Sequence, residues 1–90
     1  MHRQPITIRN PRGIHLRPTT LVLEMRNRFA GTSVWLSGKS GSRVAIDSPL
    51  DLMGMGLTVG TSLILETEGP DEVLCATKLA ELLQRTYDFQ

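Results

Sequence analysis

Four aromatic residues in a chain of 90 leave little with which to stack a nucleobase, and Trp35 and Tyr87 stand far apart as single rings that read as packing residues. Charge of one sign is lacking too. Ten basic and nine acidic residues sum to +1, so no global field argues for nucleic acid. A single cysteine, Cys75, excludes an internal disulfide and suits a reducing compartment. No apolar run approaches the roughly 20 residues that a spanning helix requires. Met1-His2-Arg3-Gln4 runs directly into a strand pattern, leaving no signal-peptide core. No His/Cys/Asp/Glu spacing suggests a metal, and no cofactor is expected. A Gly-rich nucleotide loop, a carboxylate pair and a serine triad are all missing, which argues against a free-standing kinase or hydrolase. What remains is one cytoplasmic domain over residues 1–90, ordinary in composition at 40% hydrophobic and 21% charged. A monomer with no membrane or nucleic-acid partner is expected.

Periodicity then divides the chain. Ile6 and Ile8 alternate with Thr7 and Arg9 as a short half-buried strand. Asn10-Pro11-Arg12-Gly13 reads as a tight turn, and Leu21, Val22, Met25 and Phe29 recur at helical spacing after it. Proline is tolerated only in a helix's first turn, so Pro18 fixes the start near Leu16. That helix should cover residues 16–28 and stop before Ala30-Gly31, with glycine available as the C-terminal cap. Ser33-Val34-Trp35-Leu36 and Ser42-Arg43-Val44-Ala45 form two strands around a Gly38-Lys39-Ser40-Gly41 turn. Ser48-Pro49 is a helix start, for a short helix from Pro49 to about Met53. A fourth strand covers residues 61–67. Gly69-Pro70-Asp71-Glu72 opens the last helix, whose apolar stripe is Val73, Ala76, Leu79, Ala80, Leu82 and Leu83, with Lys78, Glu81, Gln84 and Arg85 outward. The order βαββαβα makes an α+β open-faced β-sandwich.

The chemistry concentrates at Gly13-Ile14-His15-Leu16-Arg17-Pro18. His15 falls at or beside the helix N-cap, where unpaired N–H groups, here those of Leu16 and Arg17, favour an anion. Arg17 adds a guanidinium, so a phosphate site arises with a nucleophile inside it. Imidazole, with an ordinary pKa of about 6.5, offers a free nitrogen at pH 7. The helix end and Arg17 would disfavour imidazolium and enlarge the neutral population. His2, without a companion at a terminus expected to fray, reads as non-functional.

The hexapeptide resembles the active-site segment of HPr, the histidine-containing phosphocarrier family of the bacterial phosphoenolpyruvate-dependent phosphotransferase system. The resemblance extends from Pro5-Ile6-Thr7-Ile8 through Gly56-Leu57-Thr58-Val59-Gly60 to Gly69-Pro70-Asp71-Glu72 and the last helix. It implies an HPr-like four-stranded antiparallel sheet of order 1-4-2-3, covered on one face by helices. It further implies that His15 is phosphorylated on Nδ1, that Arg17 is its phosphate partner, that enzyme I is the donor and that an enzyme IIA-type domain is the acceptor. In that scheme the chain is a carrier, not an enzyme.

By the same resemblance Ser48 stands where a dedicated serine kinase and phosphatase act in some family members. Thr20, Pro49, Leu50, Met53 and Met55 would then form the partner-docking face, where methionines suit several partners. Spacing turns Leu50 and Met53 outward and Leu52 inward. The chain departs from the family pattern in Asp47, Pro49 and Asp51 around Ser48, in Glu24 and Asn27 where lysines are common, and in Thr19 where a small residue is usual. The Thr19 hydroxyl is expected to cap locally or line the phosphate site. Two rival classes remain: a non-transferring regulatory adaptor using the same face, and a small ligand-binding α+β domain. The first needs neither His15 nor Arg17.

Overall fold

A computed structural model describes residues 1–14, 16–38 and 41–87. Along the chain lie β1 (His2–Thr7), α1 (Leu16–Asn27), β2 (Ser33–Ser37), β3 (Arg43–Ala45), α2 (Pro49–Met53), β4 (Ser62–Glu68) and α3 (Glu72–Leu83). The four strands form one antiparallel sheet in the order β1-β4-β2-β3. This is the expected order and fold class. Pro5 sits within β1, where it is tolerated because β1 is an edge strand and the missing N–H breaks no inner ladder.

Alternation along the strands builds the core. Ile6 lies opposite Leu63, and Leu36 lies between Leu65 and Val44, so one face of the sheet is apolar. Helices α1 and α3 pack on one another, and α3 also packs on β1 and β4. Between the layers lie Val22, Leu23, Cys75, Ala76, Leu79 and Leu83, each nearly or fully buried. Burying a Leu or Ile of this kind contributes about 1.5–3 kcal/mol. Opposite, the open face carries Arg3, Glu66, Trp35 and Arg43.

Several boundaries differ from the sequence expectation. The first strand begins at His2, paired with Thr67, so this end is held in the sheet rather than frayed. Helix α1 stops at Asn27 and unwinds through tight turns, with the Phe29 N–H on the Arg26 carbonyl and the Thr32 N–H on the Phe29 carbonyl. Gly31 has no positive φ and is no left-handed cap. In α3 the stripe shifts. Val73 is exposed while Cys75 takes the buried place, and Gln84 is held in: its Oε1 accepts the Thr7 N–H at 2.9 Å. The tip Lys39-Ser40 of the turn after β2 lies outside the described residues; its base is closed by the Gly41 N–H on the Gly38 carbonyl.

Candidate functional site

The segment before α1 is fixed by its backbone. The Gly13 N–H donates to the Asn10 carbonyl at 2.8 Å, closing the turn read from Asn10-Pro11-Arg12-Gly13. Gly13 has φ +71°, and a Cβ there would run into the Leu57 carbonyl, so glycine is required twice over. The Ile14 N–H donates to that same Leu57 carbonyl at 3.0 Å, while the Ile14 side chain is buried. The Gly56–Gly60 stretch therefore serves as a wall for this segment. The Gly60 N–H donates to the carbonyl of Ile8, just past the end of β1, at 2.7 Å.

His15 lies outside the described residues. Its neighbours do not. Leu16 is the first residue of α1, so the opening N–H groups of the helix, those of Leu16 and Arg17, have no intrahelical carbonyl to take. Arg17 is exposed, and so are Arg9 and Arg12 on the approach to the helix. Thr20 is exposed and returns its hydroxyl to the Leu16 carbonyl at 3.0 Å. Pro18 and Thr19 are buried. The Thr19 hydroxyl neither caps nor lines an accessible site: it is fully buried and, among the described residues, has no hydrogen-bond partner. His2 Nε2 lies 3.3 Å from Gln4 Oε1.

Helix α2 packs against α1 and presents an apolar surface. Leu50 is 78% exposed and Met53 42%, whereas Leu52 is wholly buried, which is the division that spacing predicted. Pro49 is exposed, and Met55 is half-buried against the core. Leu16, 66% exposed at the start of α1, adds a large apolar side chain that sequence reasoning used only for its N–H.

Ser48 is the N-cap of α2 and is half-buried. Asp51 Oδ2 accepts the Ser48 N–H (2.9 Å), the Asp47 N–H (3.0 Å) and the Ser48 hydroxyl (3.3 Å). The two backbone donors, Asp47 first, hold the Asp51 carboxyl below its usual pKa. Arg26 does not present a free cation on α1. Its Nε donates to the Ile46 carbonyl at 2.9 Å and its Nη2 meets Asp47 Oδ1 at 3.1 Å. Nothing in the spacing of Arg26 and Asp47 announced that tie.

Tyr87 is buried, its hydroxyl donating to the Leu82 carbonyl at 2.7 Å, and burial pushes its pKa up. Trp35 is half-buried but outside the core, on the open sheet face with the Arg43 guanidinium 3.9 Å from its ring centre. Among the described residues no cluster of His, Cys, Asp and Glu could hold a metal, and no helix is long and apolar enough to cross a membrane.

Against known proteins, residues 2–85 match a family model described as the PTS HPr component phosphorylation site. The HPr-like protein Crh of Bacillus subtilis is 33% identical over 84 residues, covering 93% of this chain and 96% of that protein. Its solution structure, that of "the Bacillus subtilis Catabolite Repression HPr", superposes with a TM-score of 0.66 at 32% identity over 93% and 98% of the two chains. Phosphocarrier protein HPr of Treponema pallidum is 29% identical over 92% of each chain. A crystal structure of HPr from Thermoanaerobacter tengcongensis superposes with a TM-score of 0.82 at 29% identity, over 92% of this chain and 91% of that one.

Proposed function

The chain belongs to the HPr family of phosphocarrier proteins, and on that premise we propose that it takes a phosphoryl group from phosphorylated enzyme I onto His15 and hands it to an enzyme IIA-type acceptor. The observation that carries this reading is the start of α1 at Leu16, immediately after His15 and beside the exposed Arg17. A neutral imidazole would attack phosphorus through Nδ1 and keep its proton on Nε2. As the new N–P bond forms, the bond from phosphorus to its donor breaks. The first-turn N–H groups and the Arg17 guanidinium would then receive the phosphoryl oxygens, a charge-assisted arrangement. The reverse exchange on the acceptor regenerates the imidazole. No cofactor enters, and most of the catalysis belongs to the two partners.

Leu16, Thr20, Pro49, Leu50, Met53 and Met55 are the proposed docking surface, and the exposed arginines before α1 would steer an acidic partner. Regulatory phosphorylation of Ser48 is the least favoured part of the proposal. Its hydroxyl is already engaged by Asp51, and a phosphate there would meet the Asp51 carboxylate. A cytoplasmic monomer is proposed.

The test is direct. With enzyme I and labelled phosphoenolpyruvate, the protein should acquire acid-labile label that His15→Ala lacks while still folding. Label that persists on the variant would reject His15. A second reading, a regulatory adaptor that binds without transferring, draws on the likeness to Crh. In that case label would be absent while a binding partner is still captured by the α1–α2 face.

A further inference from the structure

Asn10 is completely buried, and both ends of its side-chain amide are engaged. Nδ2 donates to the Gly13 carbonyl at 2.8 Å, and Oδ1 accepts the Tyr87 N–H at 2.9 Å. One partner is a carbonyl and the other an N–H, so only one orientation of the amide satisfies both. Because the Asn10 carbonyl also takes the Gly13 N–H, Gly13 is held by Asn10 through both of its peptide groups. The next N–H, that of Ile14, is held by Leu57, and α1 begins at Leu16. A clamped peptide and a helix start thus stand on either side of residue 15 in the sequence.

The far end of the clamp is as firm. Tyr87 is 77 residues from Asn10 and is anchored to the end of α3 through its hydroxyl on the Leu82 carbonyl. We propose that Asn10, braced by the main chain of Tyr87, is a positioning residue for the phosphoryl site, so that the segment after α3 sets where the residue-15 nucleophile stands. This rests on the reading of His15 as the phosphoryl acceptor. Transfer between two proteins requires near in-line placement of three atoms, and a misplacement of about 1 Å can cost on the order of a hundredfold. A merely structural Asn10 would affect stability alone. A positioning Asn10 affects turnover in the folded protein, without weakening the docking face on α1 and α2.

The experiment compares wild type, Asn10→Ala, Asn10→Asp and Tyr87→Phe in transfer from phospho-enzyme I, at a temperature where circular dichroism shows each to be folded. Asn10→Ala should lower kcat about tenfold or more with KM within about twofold of wild type. Asn10→Asp keeps the acceptor for Tyr87 but sets an oxygen against the Gly13 carbonyl, and should fall as far. Tyr87→Phe removes the hydroxyl's hold on the Leu82 carbonyl and should give a smaller kcat loss in the same direction. Wild-type kcat in a folded Asn10 variant, or a loss confined to KM, overturns the inference. Should both Asn10 variants be unfolded, Tyr87→Phe decides: wild-type kcat there overturns it equally. Failure of the wild type itself to take label would instead defeat the carrier reading.

Discussion

Arg26 and Asp47 join α1 to the loop that leads into α2, with Nη2 3.1 Å from Oδ1, while Arg26 Nε holds the adjacent Ile46 carbonyl at 2.9 Å. The Arg26 side chain is only 14% exposed, whereas that of Asp47 is 69% exposed. The carbonyl bond is therefore the stronger half, and the exposed ion pair is worth little. Arg26→Ala should destabilise the fold by about 1–3 kcal/mol, because the Ile46 carbonyl loses its donor. Asp47→Asn should cost under about 1 kcal/mol. Urea unfolding of the two variants tests this, and equal losses would mean that the ion pair, not the carbonyl, is what matters.

Thr19 offers a gain. A buried hydroxyl with no partner has lost its water and received nothing back, a penalty of about 1–3 kcal/mol. Thr19→Val exchanges the hydroxyl for a methyl of similar shape and should raise stability by about 1 kcal/mol, seen as a higher melting temperature. Phosphoryl transfer should be unchanged. A marked loss of transfer would mean that the hydroxyl finds its partner only in the phosphorylated or docked state.

Much of this architecture was legible beforehand, and for local reasons. Pro18 and Pro49 announce helix starts, since proline fixes φ and needs no N–H partner. Alternation of Ile6 and Ile8 with Thr7 and Arg9 announced the first strand, and spacing alone turned Leu50 outward and Leu52 inward. The order of the sheet came only through the family resemblance, because pairing is non-local. The same limit hid the Asn10–Tyr87 and Arg26–Ile46 bonds, which join residues 77 and 20 positions apart. Val73 misled because helical spacing sets a face without saying how far the first turn projects beyond the sheet. Helix α3 lies on the core through Cys75, Ala76 and Leu79 instead.

At the start of α2, stability should depend on acid. The Asp51 carboxyl is held below its ordinary pKa of 3.8 by the Asp47 and Ser48 N–H groups, so its ionised form is favoured by folding. The contribution is then fully present above that ordinary value and disappears as pH falls through the lowered folded value. Between pH 5 and 2, the amide resonances of Asp47 and Ser48 should titrate together with the Asp51 carboxyl. In Asp51→Asn that shared titration should be lost. Ser48→Asp, which places a second carboxylate against the first, should weaken the cap at neutral pH. Amide shifts that ignore pH in the wild type would show that the Asp51 contacts do not persist in solution.

Glu66 makes the most exacting case, because it faces outward from the sheet and is nonetheless only 6% exposed. Arg3 reaches it from β1 and Arg43 from β3, the two Nε atoms taking different oxygens at 3.3 and 3.2 Å. Ser37 adds its hydroxyl to the second oxygen at 3.2 Å, and the Arg43 guanidinium lies over Trp35. One carboxylate thus holds two cations that would otherwise repel. Both arginines are well exposed, at 67% and 43%, so solvent screens each pair and removing either arginine alone should cost under about 1 kcal/mol. Removing Glu66 differs in kind: Glu66→Gln leaves two guanidiniums converging on a neutral amide, and should cost about 1–2 kcal/mol, less at high salt. Arg3→Gln added to Glu66→Gln should recover part of that loss, since it relieves the repulsion. Trp35 fluorescence reports the same change, because Arg43 released from Glu66 no longer has a fixed place over the ring. If Glu66→Gln and Arg3→Gln prove additive in urea unfolding, the three charges act as separate surface groups and not as one network.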